Sequence, residues 1–351
     1  MPLRENEESV LREIVKPLLA WYAVNRRPLL WRKDREPYHV WVSEIMLQQT
    51  RIEAVNQYYP RFLNALPDVG ALSEASDDEL LKLWEGLGYY RRARHLREAA
   101  RVIMREYGGQ FPHTYREWLT LPGVGEYTAG AVTSICFGEK VTAVDGNVLR
   151  VMARLLGRRD NVLLPETKRV FTRLLQAVLP EEAGDFNEAL MELGETVCLP
   201  NGAPDCGNCP LASLCSARRD GLAEELPVRV KRGRRGREEM TVLLLRTDDG
   251  LIAIQKRPEE GLLSGMYQLP YTNGYPDEAE LRDILAEWGL AAGDITYLRE
   301  AKHAFTHLDW LMKGYLVRVA APEGAFLWVT PEELAERFPL PTAFRYFVRD
   351  L

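Results

Sequence analysis

The chain has 351 residues, 46% hydrophobic and 27% charged, the balance of a globular protein, which excludes disordered and fibrous classes. At ~100–200 residues per domain the length predicts two domains, and no apolar run approaches the ~18–20 residues that span a bilayer, so no membrane partner is expected. The net charge of −6 argues against nucleic acid only when taken whole: residues 1–237 carry 34 Lys+Arg against 32 Asp+Glu, and residues 238–351 carry 11 against 19.

From the amino terminus, MPLRENEESVLREIV has no apolar core or small-residue cleavage site, so it does not read as a secretory signal. Residues 1–217 read as a nearly all-helical domain. Segments of 3.6 period (VLREIVKPLLAWYAV; DDELLKLWEGLGYYRRARHLREAARVIMREY; TKRVFTRLLQAVL) are joined by short Gly, Pro and Asp turns. Residues 218–237 lose periodicity and gather Arg, as a basic linker does; its KRGRRGR tract suits solvated linker or phosphate contact better than a nuclear signal. Residues 238–351 read as an α+β domain. MTVLLLRTDDGLIAIQKRP predicts two strands about a DDG turn, DEAELRDILAEWGL a helix, DITYLREAKHAFTHLDWLMKGYLVRV further strands, and TPEELAERF a last helix with Thr330 as its N-cap.

The sharpest local pattern is LPGVGEYTAGAV, residues 121–132. Pro122 ends one helix, and Gly123 and Gly125 permit a tight turn into the next. The amides of such a turn, at a helix N-terminus, suit a DNA phosphate. Glu44, in VWVSEIMLQQT, sits among Val40, Trp41 and Leu47. A carboxyl desolvated there has a raised pKa and can serve as a general acid; an exposed helix-face Glu fits the same letters. Asp145, in VDGNV, precedes a helix and can be its N-cap, or the ionised partner of Glu44 in glycosidic cleavage. Cys136 reads as a small core residue. Cys198, Cys206, Cys209 and Cys215 lie within 18 residues as C-x7-C-x2-C-x5-C, and without an export signal they suit a metal or cluster better than disulfides; thiolates serve zinc and iron–sulfur alike.

These motifs together resemble the endonuclease III-type helix-hairpin-helix DNA glycosylases. Within that superfamily WVSEIMLQQT, EGLGYYRRAR, GEYTAGA and FNEALMELG are most similar to the MutY family of adenine glycosylases. The resemblance implies an enzyme that flips adenine out of double-stranded DNA and hydrolyses its N-glycosidic bond where it is mispaired with 8-oxoguanine or guanine. It implies a [4Fe–4S] cluster on Cys198, Cys206, Cys209 and Cys215. Glu44 would protonate adenine at N7 and then activate water, and Asp145 would stabilise the sugar cation or form a transient adduct. Tyr127 and Asn147 would support that centre, Trp31, Arg32 and Glu188 would form the adenine pocket, and Gln49, Leu87 and Tyr89 would wedge into the duplex. Bifunctional relatives carry a nucleophilic Lys where this chain has Tyr127, so a monofunctional enzyme is expected.

The carboxy-terminal domain resembles a Nudix (MutT-like) fold, but its R-D-I-L-A-E-W-G stretch at residues 282–289 keeps too few carboxylates for metal-dependent pyrophosphatase chemistry. The resemblance implies that it reads 8-oxoguanine through Phe305, Thr306 and His307. Three departures stand out: an x7 first cysteine gap where the family has x6, Thr306 where Ser is usual, and Leu30 where Pro is usual. A monomer in the bacterial cytoplasm, at the nucleoid, is expected. The competing readings are an endonuclease III-like or thymine-mismatch glycosylase, a catalytically silent damage-binding protein, and a zinc-bearing DNA-binding module.

Overall fold

The computed structural model describes residues 6–230 and 235–349; residues 231–234 of the basic tract lie outside the described residues. Helices there are α1 (Glu7–Asn25), α2 (Pro37–Leu47), α3 (Ile52–Ala65), α4 (Val69–Glu74), α5 (Asp77–Leu83), α6 (Arg91–Tyr107), α7 (Tyr115–Trp118), α8 (Glu126–Phe137), α9 (Gly146–Leu155), α10 (Pro165–Gln176), α11 (Ala183–Thr196), α12 (Ser216–Arg219), α13 (Glu278–Glu287), α14 (Pro331–Arg337) and α15 (Thr342–Arg345). The strands are β1 (Gly236–Thr247), β2 (Ile252–Lys256), β3 (Tyr267–Gln268), β4 (Tyr271–Asn273), β5 (Ala292–Ala304), β6 (Leu308–Val319) and β7 (Leu327–Val329). None of these helices is long and apolar enough to cross a membrane. The chain forms two compact units: Met1–Glu74 with His95–Arg232, and Ala75–Arg94 with Gly233–Leu351.

The first unit is helical. Leu11, Ile14, Leu18 and Tyr22 repeat along one stripe of α1 and join Val148, Val151 and Met152 of α9, Phe171 and Leu174 of α10, and Phe186, Leu190 and Leu193 of α11 in one apolar core. Burying each such side chain is worth roughly 1.5–3 kcal/mol. The helix α2 differs, because Tyr38 and residues 40–46 are buried on all its faces, Glu44 among them. It packs on α3 and α8. The fold thereby puts a carboxylate in an interior helix.

In the second unit the sheet runs β3-β2-β1-β6-β5, with β4 on β1 and β7 on β2. β1 and β6 are parallel, from Gly236 opposite Leu308 to Thr247 opposite Val319. The period of two divides β1 between two apolar layers. Met240, Val242 and Leu244 meet Trp310, Met312 and Phe344, whereas Leu243 and Leu245 meet Leu281 and Leu285 of α13. A central strand covered on both faces explains the unbroken VLLL. The DDG turn joins β1 to β2 as its sequence predicts, and Phe305, Thr306 and His307 form the turn between β5 and β6.

Two features depart from the sequence reading. The periodic run at residues 77–107 is two helices, α5 and α6, divided by a turn in which Gly86, Gly88 and Tyr89 have φ of 104°, 72° and 49°. Two glycines in three residues allow the reversal, while the apolar rhythm persists because Trp84 and Leu87 are buried within it. The second unit also takes in Ala75–Arg94, which the linear reading assigns to the first domain.

Candidate active site

A cleft of about 1470 Å³ in the first unit is lined by Glu44, Tyr127, Asp145, Asn147, Trp31, Arg32, Glu188, Gln49, Gly123 and Gly125. Residues spread over some 160 positions of sequence are thus gathered by α2, α8, α9, α11 and the turns before them. Glu44 is only 7% exposed, and the Tyr127 hydroxyl donates to its Oε2 at 2.5 Å and lies 3.1 Å from the Met191 sulfur. Burial lifts the Glu44 carboxyl to about 7; the Tyr127 hydrogen bond pulls it down, and the charges of Glu188 and Asp145 push it up. Such a group can be protonated at neutral pH. Tyr127 itself is held well above its ordinary value by burial and by Glu44, so it stays a phenol and a donor.

Asp145 serves as the N-cap of α9: Oδ1 accepts from the Val148 amide at 2.8 Å, and Oδ2 accepts from Asn147 Nδ2 at 2.8 Å. Both sequence-level readings, cap and cleft carboxylate, therefore describe the same side chain. Burial raises its pKa, and the Val148 and Asn147 donors at the helix N-terminus oppose that rise. Asn147 is held in turn by Glu195 and Arg150, each at 2.8 Å.

On the opposite wall Arg32 Nε donates to Glu188 at 3.1 Å, and its Nη1 donates to Glu192 at 2.9 Å. Glu192 also takes a two-pronged contact from Arg27, at 2.6 and 3.0 Å, and these two arginines overcome burial to lower its pKa. Glu188 goes the other way: burial raises it against the pull of Arg32. Trp31 is buried edge-on to Tyr59 at 5.6 Å. The sequence reading missed Arg27, Met191 and Glu192. For Glu192 the signal was available, since it stands four residues after Glu188 on α11 and therefore on the same face.

Gly123 and Gly125 differ in kind. Gly123 has φ of 72°, and a Cβ there would lie 2.4 Å from the His95 Cβ. Gly125 is the N-cap of α8 with φ of −102° and nothing within 4 Å of a Cβ position. It leaves the helix N-terminus bare, where the first amides have no intrahelical acceptor.

Leu87 and Tyr89, with Phe305, Thr306 and His307, belong to the second unit and do not line this cleft. Leu87 is buried at 7% exposure whereas Tyr89 is 47% exposed, so Tyr89 is the one that projects. Its hydroxyl is 3.0 Å from Thr306 Oγ1. Phe305 packs edge-on to His303 and Trp310.

All four loop cysteines are free thiols. Cys198, Cys209 and Cys215 pack against the helical core, and Arg154 Nη1 donates to the Cys198 sulfur at 3.2 Å, a contact that suits a thiolate. Burial raises the Cys209 thiol to about 11, and the nearby thiols of Cys198, Cys215 and Cys206 raise it further. No set of three ligands for a single metal ion is assembled among the described residues. Four thiols in one loop, one of them meeting the Arg154 guanidinium, are the donor chemistry of a thiolate-held metal or cluster.

A partly protonated carboxylic acid facing a second, amide-held carboxylate is a pair suited to protonating a leaving group and stabilising a cation. Comparison with known proteins agrees. Residues 42–181 match the HhH-GPD superfamily base excision DNA repair protein family, and residues 241–350 match the NUDIX domain. The adenine DNA glycosylase of Homo sapiens is 34% identical over 385 residues, covering 90% of this chain and 70% of its own length. That of Mus musculus is 36% identical over 380 residues, with 90% and 73% covered. A solved thermostable thymine-DNA glycosylase aligns at 30% identity and a TM-score of 0.56, over 62% of this chain and 100% of its own.

Proposed function

From the premise that this chain belongs to the adenine DNA glycosylase family, we propose that it excises adenine mispaired with 8-oxoguanine or guanine in duplex DNA. It is a base excision repair enzyme that binds DNA and hydrolyses the N-glycosidic bond of adenine. The observation that carries the mechanism is the short Tyr127–Glu44 hydrogen bond inside a buried cleft that also holds Asp145.

Adenine is a poor leaving group as an anion and a good one once protonated. A Glu44 carboxyl held at about 7 delivers that proton to the flipped base, assigned here to N7. Glu44 then takes the proton from the attacking water, while Tyr127 keeps its carboxyl oriented. The sugar becomes cationic as the bond breaks, and Asp145, fixed by the Val148 and Asn147 donors, faces that charge or bonds to it transiently. Arg32 and Glu188, paired with each other at 3.1 Å, would offer a donor and an acceptor to the edge of adenine. Tyr127 offers no amine, so the enzyme leaves an abasic site and does not form a Schiff base.

Residues 238–351 supply recognition of the opposite base through Phe305, Thr306 and His307, with Tyr89 stacking beside it. A [4Fe–4S] cluster on Cys198, Cys206, Cys209 and Cys215 would cross-link the loop that follows α11. Purified protein should be yellow-brown and carry four irons per chain; zinc in their place would overturn that part. The protein is read as a cytoplasmic monomer.

Single-turnover release of adenine opposite 8-oxoguanine, guanine and thymine tests the whole. The reading expects release opposite 8-oxoguanine and guanine, abolished in Asp145→Asn. Absence of adenine release from every duplex, or high-yield borohydride trapping on DNA, would refute it.

A further inference from the structure

The helix α5 and the turn after it belong to the second unit although they lie in the middle of the helical sequence. Among the contacts that hold them there, one carboxylate gathers the most partners. Glu85 is 7% exposed. Its Oε1 accepts from the Leu340 amide at 2.8 Å and pairs with Arg345 at 2.7 Å, while Oε2 pairs with Lys82 at 2.9 Å. The Lys82 ammonium also donates to the Phe338 carbonyl at 3.2 Å. Four residues on, the same turn ends at Tyr89, whose hydroxyl meets Thr306. Between them Arg92 lies over the rings of both Trp84 and Tyr89, at 5.4 and 5.5 Å. At the far end Arg94 donates to Ser264 Oγ.

We propose that Glu85 is a positioning residue for reading the base opposite the target adenine: through Leu340, Arg345 and Lys82 it fixes residues 84–90 to the Nudix-like unit, so that Tyr89 and Thr306 meet the opposite base as one surface. This rests on the opposite-base role given above to the second unit. Glu85 itself is buried, with its carboxylate oxygens taken up by protein partners. Tyr89 sits at a φ of 49° after two glycines of positive φ, so the turn needs an external hold to keep one conformation.

The test is single-turnover adenine release opposite 8-oxoguanine and opposite guanine, for wild type, Glu85→Gln, Arg345→Gln, the double variant and Thr306→Val. Glu85→Gln should lower the preference for 8-oxoguanine on the order of ten-fold, with the guanine-opposed rate nearly unchanged. Arg345→Gln should do less, and the double variant should be no worse than Glu85→Gln, because one interaction is being removed twice. If Glu85→Gln proves insoluble, Arg345→Gln, which leaves the Leu340 bond in place, should still lower the preference for 8-oxoguanine more than the guanine-opposed rate, by a smaller factor. Equal loss on both duplexes would reduce Glu85 to a stabilising residue and overturn the proposal. Unchanged preference in Glu85→Gln while Thr306→Val loses it also overturns it, leaving the role of the second unit intact. Unchanged preference in Thr306→Val as well removes that role and this inference with it.

Discussion

Glu44 and Glu85 keep the same 7% of their surface in water, yet their surroundings differ. Glu85 meets two cations and a backbone amide. Glu44 receives a neutral phenol and faces the negative charges of Glu188 and Asp145, so burial prevails and its carboxyl rises to about 7. Burial alone therefore does not make a catalytic acid; burial left uncompensated by charge does. Glu192, between Arg27 and Arg32, is the compensated case: its pKa is lowered although it is buried.

The contrast breaks if the two glutamates can be exchanged in effect. Glu44→Gln should cut single-turnover adenine release roughly 10²–10⁴-fold, against little change opposite guanine in Glu85→Gln; comparable losses would erase the distinction. Stability should run the other way. Glu85→Ala leaves the buried Leu340 amide without its acceptor and removes the counter-charge of Lys82 and Arg345, and should cost about 1–3 kcal/mol in denaturant unfolding.

Glu44→Gln should stabilise, and only above acid pH. Its folded pKa lies above the unfolded value of 4.5, so the native state binds more protons between pH 4.5 and about 7. The wild type thus loses stability as pH rises through that window, by up to ~3 kcal/mol. Melts of Glu44→Gln and wild type should coincide near pH 4.5 and separate at pH 8; separation at both would point to packing instead.

The same titration should appear in the rate. Adenine release should fall above pH 7, toward ten-fold per pH unit, as the acid form is lost. Smallest is Tyr127→Phe: the hydroxyl lowers the Glu44 pKa, so its removal should move the alkaline limb upward with a modest loss of rate. A downward shift would mean that Tyr127 acts other than as a donor to Glu44.

Much of this was legible in the letters because it is local. The 3.6-residue rhythm gave α1 and α10, the Thr330 cap marked α14, and the G-V-G turn announced the start of α8. Glu44 stood out as a charge in an apolar helix, though only the packing of α2 against α8 makes it buried. The break at residues 84–90 escaped because apolar side chains continue through it. Glu85 reads as an ordinary helix-face residue, since its partners Leu340 and Arg345 lie some 255 and 260 positions away. The short strands β3, β4 and β7 exist through pairing with β1 and β2, and carry too few residues for a period of two to register.

The double use of Asp145, as helix cap and as the proposed reacting carboxylate, has a consequence beyond chemistry. Asn is as good a cap as Asp, so exchanging one for the other silences the reaction while leaving α9 with its amide acceptor. Such a protein should accumulate to normal levels in a cell and occupy the mispairs it can no longer repair. The inactive form would then shield the lesion from other repair activities, and do more harm than loss of the protein itself.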